Sequence, residues 1–208
     1  MINSTKTPYR KLNDELRRLG VPDHEFLSQK GDAVDTLVNT KWPLRPYVDI
    51  LLDYLPQLKT NEQEMVVRAL GFKGNTAASS TLIAMFDKTD VYSENFLWVV
   101  ANSLAKIDDK NTYPEILAIC NEKRCGMARQ MLFLFVLPRM KTEEAYQTLL
   151  SGLNDPDVKG HAIYGLGKLG RPDAIPILEH LEVVKGKNEY KAKKSALTKL
   201  KRKLDSKG

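Results

Sequence analysis

Three histidines, two cysteines and several paired acids are the residues from which this chain could build chemistry. His180 stands between Glu179 and Glu182 in EHLE, where the three could contribute to a weak metal site; on an exposed helix face they read instead as a solvated charge cluster. His161 lies on a patterned helix, where a packed, hydrogen-bonded core-edge histidine is favoured over a catalytic base. Cys120 and Cys125 bracket NEKR, and with no further cysteine they cannot assemble a four-ligand structural zinc site. They read as one buried thiol and one turn thiol. Asp108-Asp109 and Glu143-Glu144 fall at helix boundaries, where capping and the helix dipole explain them. GLGKLG satisfies G-x-G-x-x-G at Gly165, Gly167 and Gly170, but inside a helix and at its end rather than after a strand. Its glycines are assigned to close helix packing and a C-cap. No catalytic residue, metal or cofactor is expected.

The elements that must position these residues are clearest in DPDVKGHAIYGLGKLGRPDAIPILEHL, Asp155 to Leu181. Two short amphipathic helices lie back to back there, the first opened by Pro156 and closed by Gly170, the second opened around Pro172 and Asp173. Neither can bury its apolar stripe alone, which is the mark of a repeat. LGFKGNTAA from Leu70 lays over LGKLGRPDA from Leu166, with both glycines and the final alanines, Ala78 and Ala174, in register. Taking that leucine as anchor, equivalents stand at Leu104, Leu137 and Leu197, at intervals of 34, 33, 29 and 31 residues. Three after the anchor come Ile107, Met140, Leu169 and Leu200, with only Lys73 breaking the series; four before it come Val66, Val100, Phe133 and Ala162, broken by Lys193. Each anchor helix but the last is followed by a second, at 76–86, 111–120, 142–153 and 173–184. A helix pair repeated in this way predicts an α-solenoid, in which each pair is stabilised by the next.

The flanks are less regular. Tyr9, Leu12, Leu16 and Leu19 predict one helix face stopping at Gly20 and Pro22. A second helix is expected from about Asp23, with Phe26, Leu27, Val34, Leu37 and Val38 inward and a break near Gly31. NTKWPLRP follows as a turn. YVDILLDYL ending at Pro56 is the next helix, and NEQEMVVRALG the one after, with Asn61 as N-cap and Glu64 completing a capping box. The organisation expected is an N-terminal cap over 1–46, repeats over 47–184 and a basic capping helix over 185–208, all in one structural domain.

With 42% apolar and 28% charged residues the composition is that of a soluble globular protein. No apolar run approaches the roughly 18 residues of a membrane span, and the N-terminus lacks a secretory core, so a cytoplasmic location is expected. The formal charge is +6, yet residues 183–208 hold ten Lys/Arg against Glu189 and Asp205, a net +8, leaving −2 for residues 1–182. Basicity belongs to the tail.

The segment Asp155 to Leu181 resembles the HEAT-like repeats first described in phycobilisome lyases: a DP start, then Ala162, Leu166, Gly167, Leu169 and Gly170 in A-x-x-x-LG-x-LG, then Asp173 to Leu178 in D-A-I-P-x-L. The resemblance implies an all-α, right-handed α-solenoid of about five helix pairs with an atypical N-terminal capping pair. It does not carry an activity. The di-iron deoxyhypusine hydroxylase branch needs several His-Glu pairs, and only His24-Glu25 occurs. A phycobilin lyase needs a pigment-bearing partner, for which nothing argues. The alkylpurine DNA glycosylase branch needs a basic cleft, whereas the second helices of this chain carry Asp49, Asp53, Asp87, Glu115, Glu143, Glu144, Glu179 and Glu182.

The function expected is therefore a non-enzymatic protein-binding scaffold or adaptor. Its acidic second-helix face, Asp49, Asp53, Asp87, Glu115, Glu144, Glu179 and Glu182, would meet a basic partner, in one form as an inhibitor or immunity-type protein covering a toxin or nuclease. Trp42, Arg45 and Tyr47 form an aromatic cluster of interface type in the Pro-rich turn, and Trp98 lies on an outer flank. The helix MLFLFVL, apolar nearly all round with Met131 and Phe135, is expected to be buried rather than an interaction patch. The alternative is nucleic-acid binding through the C-terminal helix, where Tyr190, Leu197, Leu200 and Leu204 face inward and Lys191, Lys194, Lys199 and Arg202 stand outside.

Overall fold

A computed structural model describes residues 6–26, 29–123 and 125–206. Thr7 opens α1 (Pro8–Arg18) by accepting the Arg10 N–H. Leu12 and Leu16 are buried as expected, but Leu19 is 55% exposed. The third buried member of α1 is Asn13, whose amide donates to Tyr9 O and accepts from Val34 N at 3.0 Å. It thereby satisfies an N–H at the start of α2 (Ala33–Asn39).

The helix expected from Asp23 is not there. Glu25–Phe26 (β1) and Gln29–Lys30 (β2) pair antiparallel, the only strand pair among the described residues. Asp32 and Asp35 then exchange capping bonds and delay the helix to Ala33. Val34 and Leu37 are buried and Val38 is half-buried; the Phe26 side chain and Leu27, also expected inward, lie outside the described residues.

From Arg45 onward the helices alternate between two series. The first comprises α4 (Thr60–Leu70), α6 (Glu94–Ile107), a segment ending in α8 (Leu137–Met140), α10 (Lys159–Leu169) and α12 (Asn188–Asp205). These pack in succession, with α2 against α4. The second comprises α3 (Val48–Tyr54), α5 (Ser79–Ile83), α7 (Tyr113–Glu122), α9 (Glu143–Ser151) and α11 (Ala174–His180), several extended by 3-10 turns. α7 packs on α9, and α11 packs on α12. Two helix starts differ from expectation. α4 begins two residues early because Glu62, not Glu64, accepts the Lys59 N–H, leaving Glu64 to pair with Arg68 at 2.7 Å. α10 begins at Lys159, not Pro156, because Asp155 accepts the Asp157 N–H and holds a turn there.

Most of the aligned positions share their burial. Leu70, Leu104, Leu137 and Leu166 are buried, as are Val66, Val100, Phe133, Ala162, Ile107, Met140, Leu169 and Leu200; Leu197 is half-buried. A Cβ on Gly71 would meet Ser103 Cα at 2.9 Å, and one on Gly167 would meet Ala196 Cα at 2.7 Å. In each case the residue after one anchor abuts the residue before the next. Four residues after the first four anchors the backbone turns left-handed: Gly74, Asp108, Lys141 and Gly170 have φ of 77°, 59°, 55° and 76°, whereas α12 runs on past Leu197. This residue is the C-cap of α6, α8 and α10, but α4 stops earlier, at Gly71 with a negative φ, and Gly74 lies in the turn that follows.

Candidate functional site

The acidic residues of the second series all lie exposed: Asp49 and Asp53 on α3, Asp87 after α5, Glu115 on α7, Glu144 on α9, Glu179 on α11 and Glu182 beyond it. They are not equivalent. Glu179 is bound by Lys201 at 2.6 Å, which holds its carboxyl below the usual range. Glu143 is likewise held down by Arg171, which also grips Asp173. Asp49, Asp53, Glu115, Glu144 and Glu182 make no ion pair among the described residues. Asp49, Glu115 and Glu144 sit in the first turn of their helices, where the dipole favours them.

The aromatic turn divides. Tyr47 is 8% exposed and donates no contact surface; its hydroxyl accepts from Trp42 Nε1 at 3.2 Å, so this residue is a support for Trp42 rather than an interface residue. Trp42 is half-buried, and exposed Arg45 stands 6.0 Å from the Phe72 ring. Trp98 is half-buried beside Glu64, Arg68, Asn95, Met127 and Gln130.

The apolar helix is buried in the main, with Leu132, Phe133, Val136 and Leu137 enclosed and Leu134 and Phe135 half-exposed. It contains a π turn, Leu132–Val136. Pro138 has no N–H for Leu134 O, and the Leu137 N–H reaches back to Leu132 O instead. Lys168 Nζ supplies the missing donor to Leu134 O at 3.2 Å and lies 4.0 Å over the Phe135 ring. Gly165 lets α10 come this close, since a Cβ there would meet Phe133 O at 2.6 Å.

Expectations for the C-terminal helix need correction. Its inward residues are Ala192, Ala196 and Leu200; Tyr190 is 38% and Leu204 50% exposed. Contact with Gly167 demands a small residue, so alanine replaces the expected larger side chains. Lys193 is half-buried and donates to Glu179 O and Leu181 O, closing α11 at its carboxyl end. Lys191, Lys194, Lys199 and Arg202 are exposed as expected; Lys207 lies outside the described residues.

The groups first considered for chemistry have structural occupations. His161 is half-buried, makes no hydrogen bond among the described residues, and burial lowers its pKa. His180 Nδ1 lies 2.8 Å from Pro176 O, and no three His, Cys, Asp or Glu among the described residues converge as metal ligands. Cys120 is buried on α7 and Cys125 lies in a turn, as expected, though it too is buried; burial pushes the Cys120 thiol far up. Asp108 and Asp109 cap as expected, Asp109 accepting from Asn111 N.

Arg129 and a periodic set of cations, of which only Lys199 stands out in the sequence, add to these residues. Arg129 is 1% exposed, and its guanidinium donates to Gly126 O, Cys120 O and Asp155 Oδ2, the last at 2.8 Å. Its signal was a lone charge in the apolar stretch GMARQMLFLFVL. In the periodic set, Lys106, Arg139, Lys168 and Lys199 each stand two residues after an anchor leucine, and all are exposed.

Residues 158–181 match the family model of the PBS lyase HEAT-like repeat. The match covers α10 and α11 and ends at the same leucine as the sequence-defined repeat. No curated protein and no solved structure matches the chain. No described helix is long and apolar enough to cross a membrane.

Proposed function

We propose that this chain is an α-solenoid of HEAT-like helix pairs over residues 47–184 that acts by binding, not catalysis, and that its second series meets a protein with a basic surface. The observation that supports this reading is the set of exposed carboxylates without ion pairs, Asp49, Asp53, Glu115 and Glu144, recurring on α3, α7 and α9. Carboxylates left uncompensated on three helices of one series raise association rates with a basic partner and discourage acidic ones. A stable complex needs roughly 1,200–2,000 Å² of buried surface, which several neighbouring helices can supply. An inhibitor that covers a basic toxin or nuclease is one concrete form.

The test is capture from the native source with two baits, the wild-type chain and a variant carrying Asp49→Lys, Asp53→Lys, Glu115→Lys and Glu144→Lys. Mass spectrometry should find a basic protein on the wild type that is released by moderate salt and absent from the variant. Identical retention on both baits would end the acidic-face reading.

A further inference from the structure

The first series presents a surface of opposite character. Lys106, Arg139, Lys168 and Lys199 occupy the same repeat position on α6, α8, α10 and α12, which pack in succession. Helices pack ~8–10 Å apart, so four of them carry the row over roughly 25–30 Å. Proximity along the row is visible chemically: besides burial, the charges of Lys199 and Arg139 lower the pKa of Lys168 between them. Lys203, one turn after Lys199, lies against Gly170 and continues the row along α12. At the other end Lys73 joins Lys106 and Arg139 around an open cavity of about 620 Å³, with Phe72, Phe135 and Asn102 in its lining. Arg45 over the Phe72 ring adds a further cation.

One acid stands in this cavity, Asp108, and it is matched by Arg139 at 3.1 Å as an ion pair. Lys73, Lys106 and Lys199 are exposed and have no ion pair among the described residues. Lys168 and Arg139 are anchored by carbonyls, Leu134 O and Ala105 O, so their charges are held in place, not free to fold back. Half-exposed rings lie among these cations: Phe72 and Phe135 in the cavity and Tyr164 on α10, two residues before its anchor as Phe135 is before its own. A line of cations, two of them held in place, with interleaved aromatic faces suits a phosphodiester backbone whose bases are unpaired and free to stack. An acidic protein would use the cations but has no need of the rings.

We infer that the row Lys73, Lys106, Arg139, Lys168 and Lys199, with the cavity between Phe72 and Phe135, is a binding groove for single-stranded nucleic acid. Phosphates run along the cations, and a base enters the cavity against the rings. This surface takes only Lys199 and Lys203 from the C-terminal tail; Lys185, Lys187 and Lys191 have no part in it.

Fluorescence anisotropy with a labelled oligothymidylate of about 16 nucleotides tests the assignment in the full chain. Binding at low salt should weaken with a log–log slope of about −0.7 per phosphate neutralised. Lys106→Ala with Lys199→Ala, both exposed and tolerant of truncation, should make that slope shallower by about 1.4. Lys185→Ala, Lys187→Ala and Lys191→Ala together should leave it unchanged. Phe72→Ala should weaken binding about tenfold and Phe72→Trp should restore it, as stacking requires. The inference is overturned by absence of binding at low salt, by a slope that follows the tail lysines and not the row, by duplex binding as tight as single strand, or by polyglutamate competing equally, which would mark a general acid-binding surface.

Discussion

Burying the Arg129 guanidinium is tolerable because three acceptors enclose it, two carbonyls and the Asp155 carboxylate. Removing one member of such a pair leaves the other charge desolvated, at a cost of about 3–5 kcal/mol. Arg129→Met should lower the urea midpoint accordingly, and Arg129→Met with Asp155→Leu should recover much of the loss; equal damage in single and double variants would show that the pair is not coupled. His161 carries a pH prediction. Burial disfavours its protonated form, so its folded pKa lies below the ordinary value of about 6.5. The unfolded chain takes up the proton first, and stability contributed above that value is lost as pH falls through it toward the folded pKa. His161→Gln should flatten the decline in urea midpoint between about pH 7 and 5 relative to wild type.

At the level of elements, the left-handed residue four positions after the anchor decides how α6, α8 and α10 end. Glycine occupies one of these positions, and Asp108 and Lys141 the others. A side chain in that conformation costs about 1–2 kcal/mol. Lys141→Gly should therefore raise the melting temperature and Gly170→Ala lower it, and calorimetry showing the reverse order would refute the assignment. Gly167→Ala is a different lesion, because its Cβ would press on Ala196 Cα at 2.7 Å, backbone that cannot rotate away. A loss of about 1–3 kcal/mol from overpacking should detach α12 from α10 before the rest unfolds, read as early hydrogen exchange over 188–205.

These elements also show what was legible in the sequence. The repeat register was, because helix contacts between neighbours need the same small and apolar residues each time: Gly71 and Gly167 reappear at equivalent crossings, and Gly74 and Gly170 share one backbone conformation. The strand pair at 25–30 was not, since two residues per strand leave no periodicity. Nor was the π turn, which arises from Pro138 and a lysine thirty residues on. Among site residues, exposure of the acidic series followed from helix position, but Tyr47 was misjudged because burial of a ring in a turn depends on distant packing. The basic row was present in the anchor alignment two residues past Leu104, Leu137, Leu166 and Leu197 and was masked by the denser charge of the tail.

For the molecule as a whole, charge is segregated by series. Uncompensated carboxylates recur on α3, α7 and α9, and cations recur near the carboxyl ends of α6, α8 and α10 and along α12. Helix dipoles favour Asp49, Glu115, Glu144 and Lys106 but not Asp53 in the last turn of α3, and they do not explain why some charges are tied into ion pairs while Asp49, Asp53, Glu115, Glu144, Lys106 and Lys199 stand apart. A scaffold with two faces of opposite sign can hold two ligands or assemble with itself, and the two surfaces fail independently under charge reversal. The most direct measurement is hydrogen-exchange mass spectrometry of the full chain bound to the partner recovered by wild-type bait. Protection concentrated on 48–57, 113–122 and 143–151 is the predicted result; protection confined to the first-series helices or to the C-terminal helix, with those three segments unchanged, would contradict binding through the acidic face.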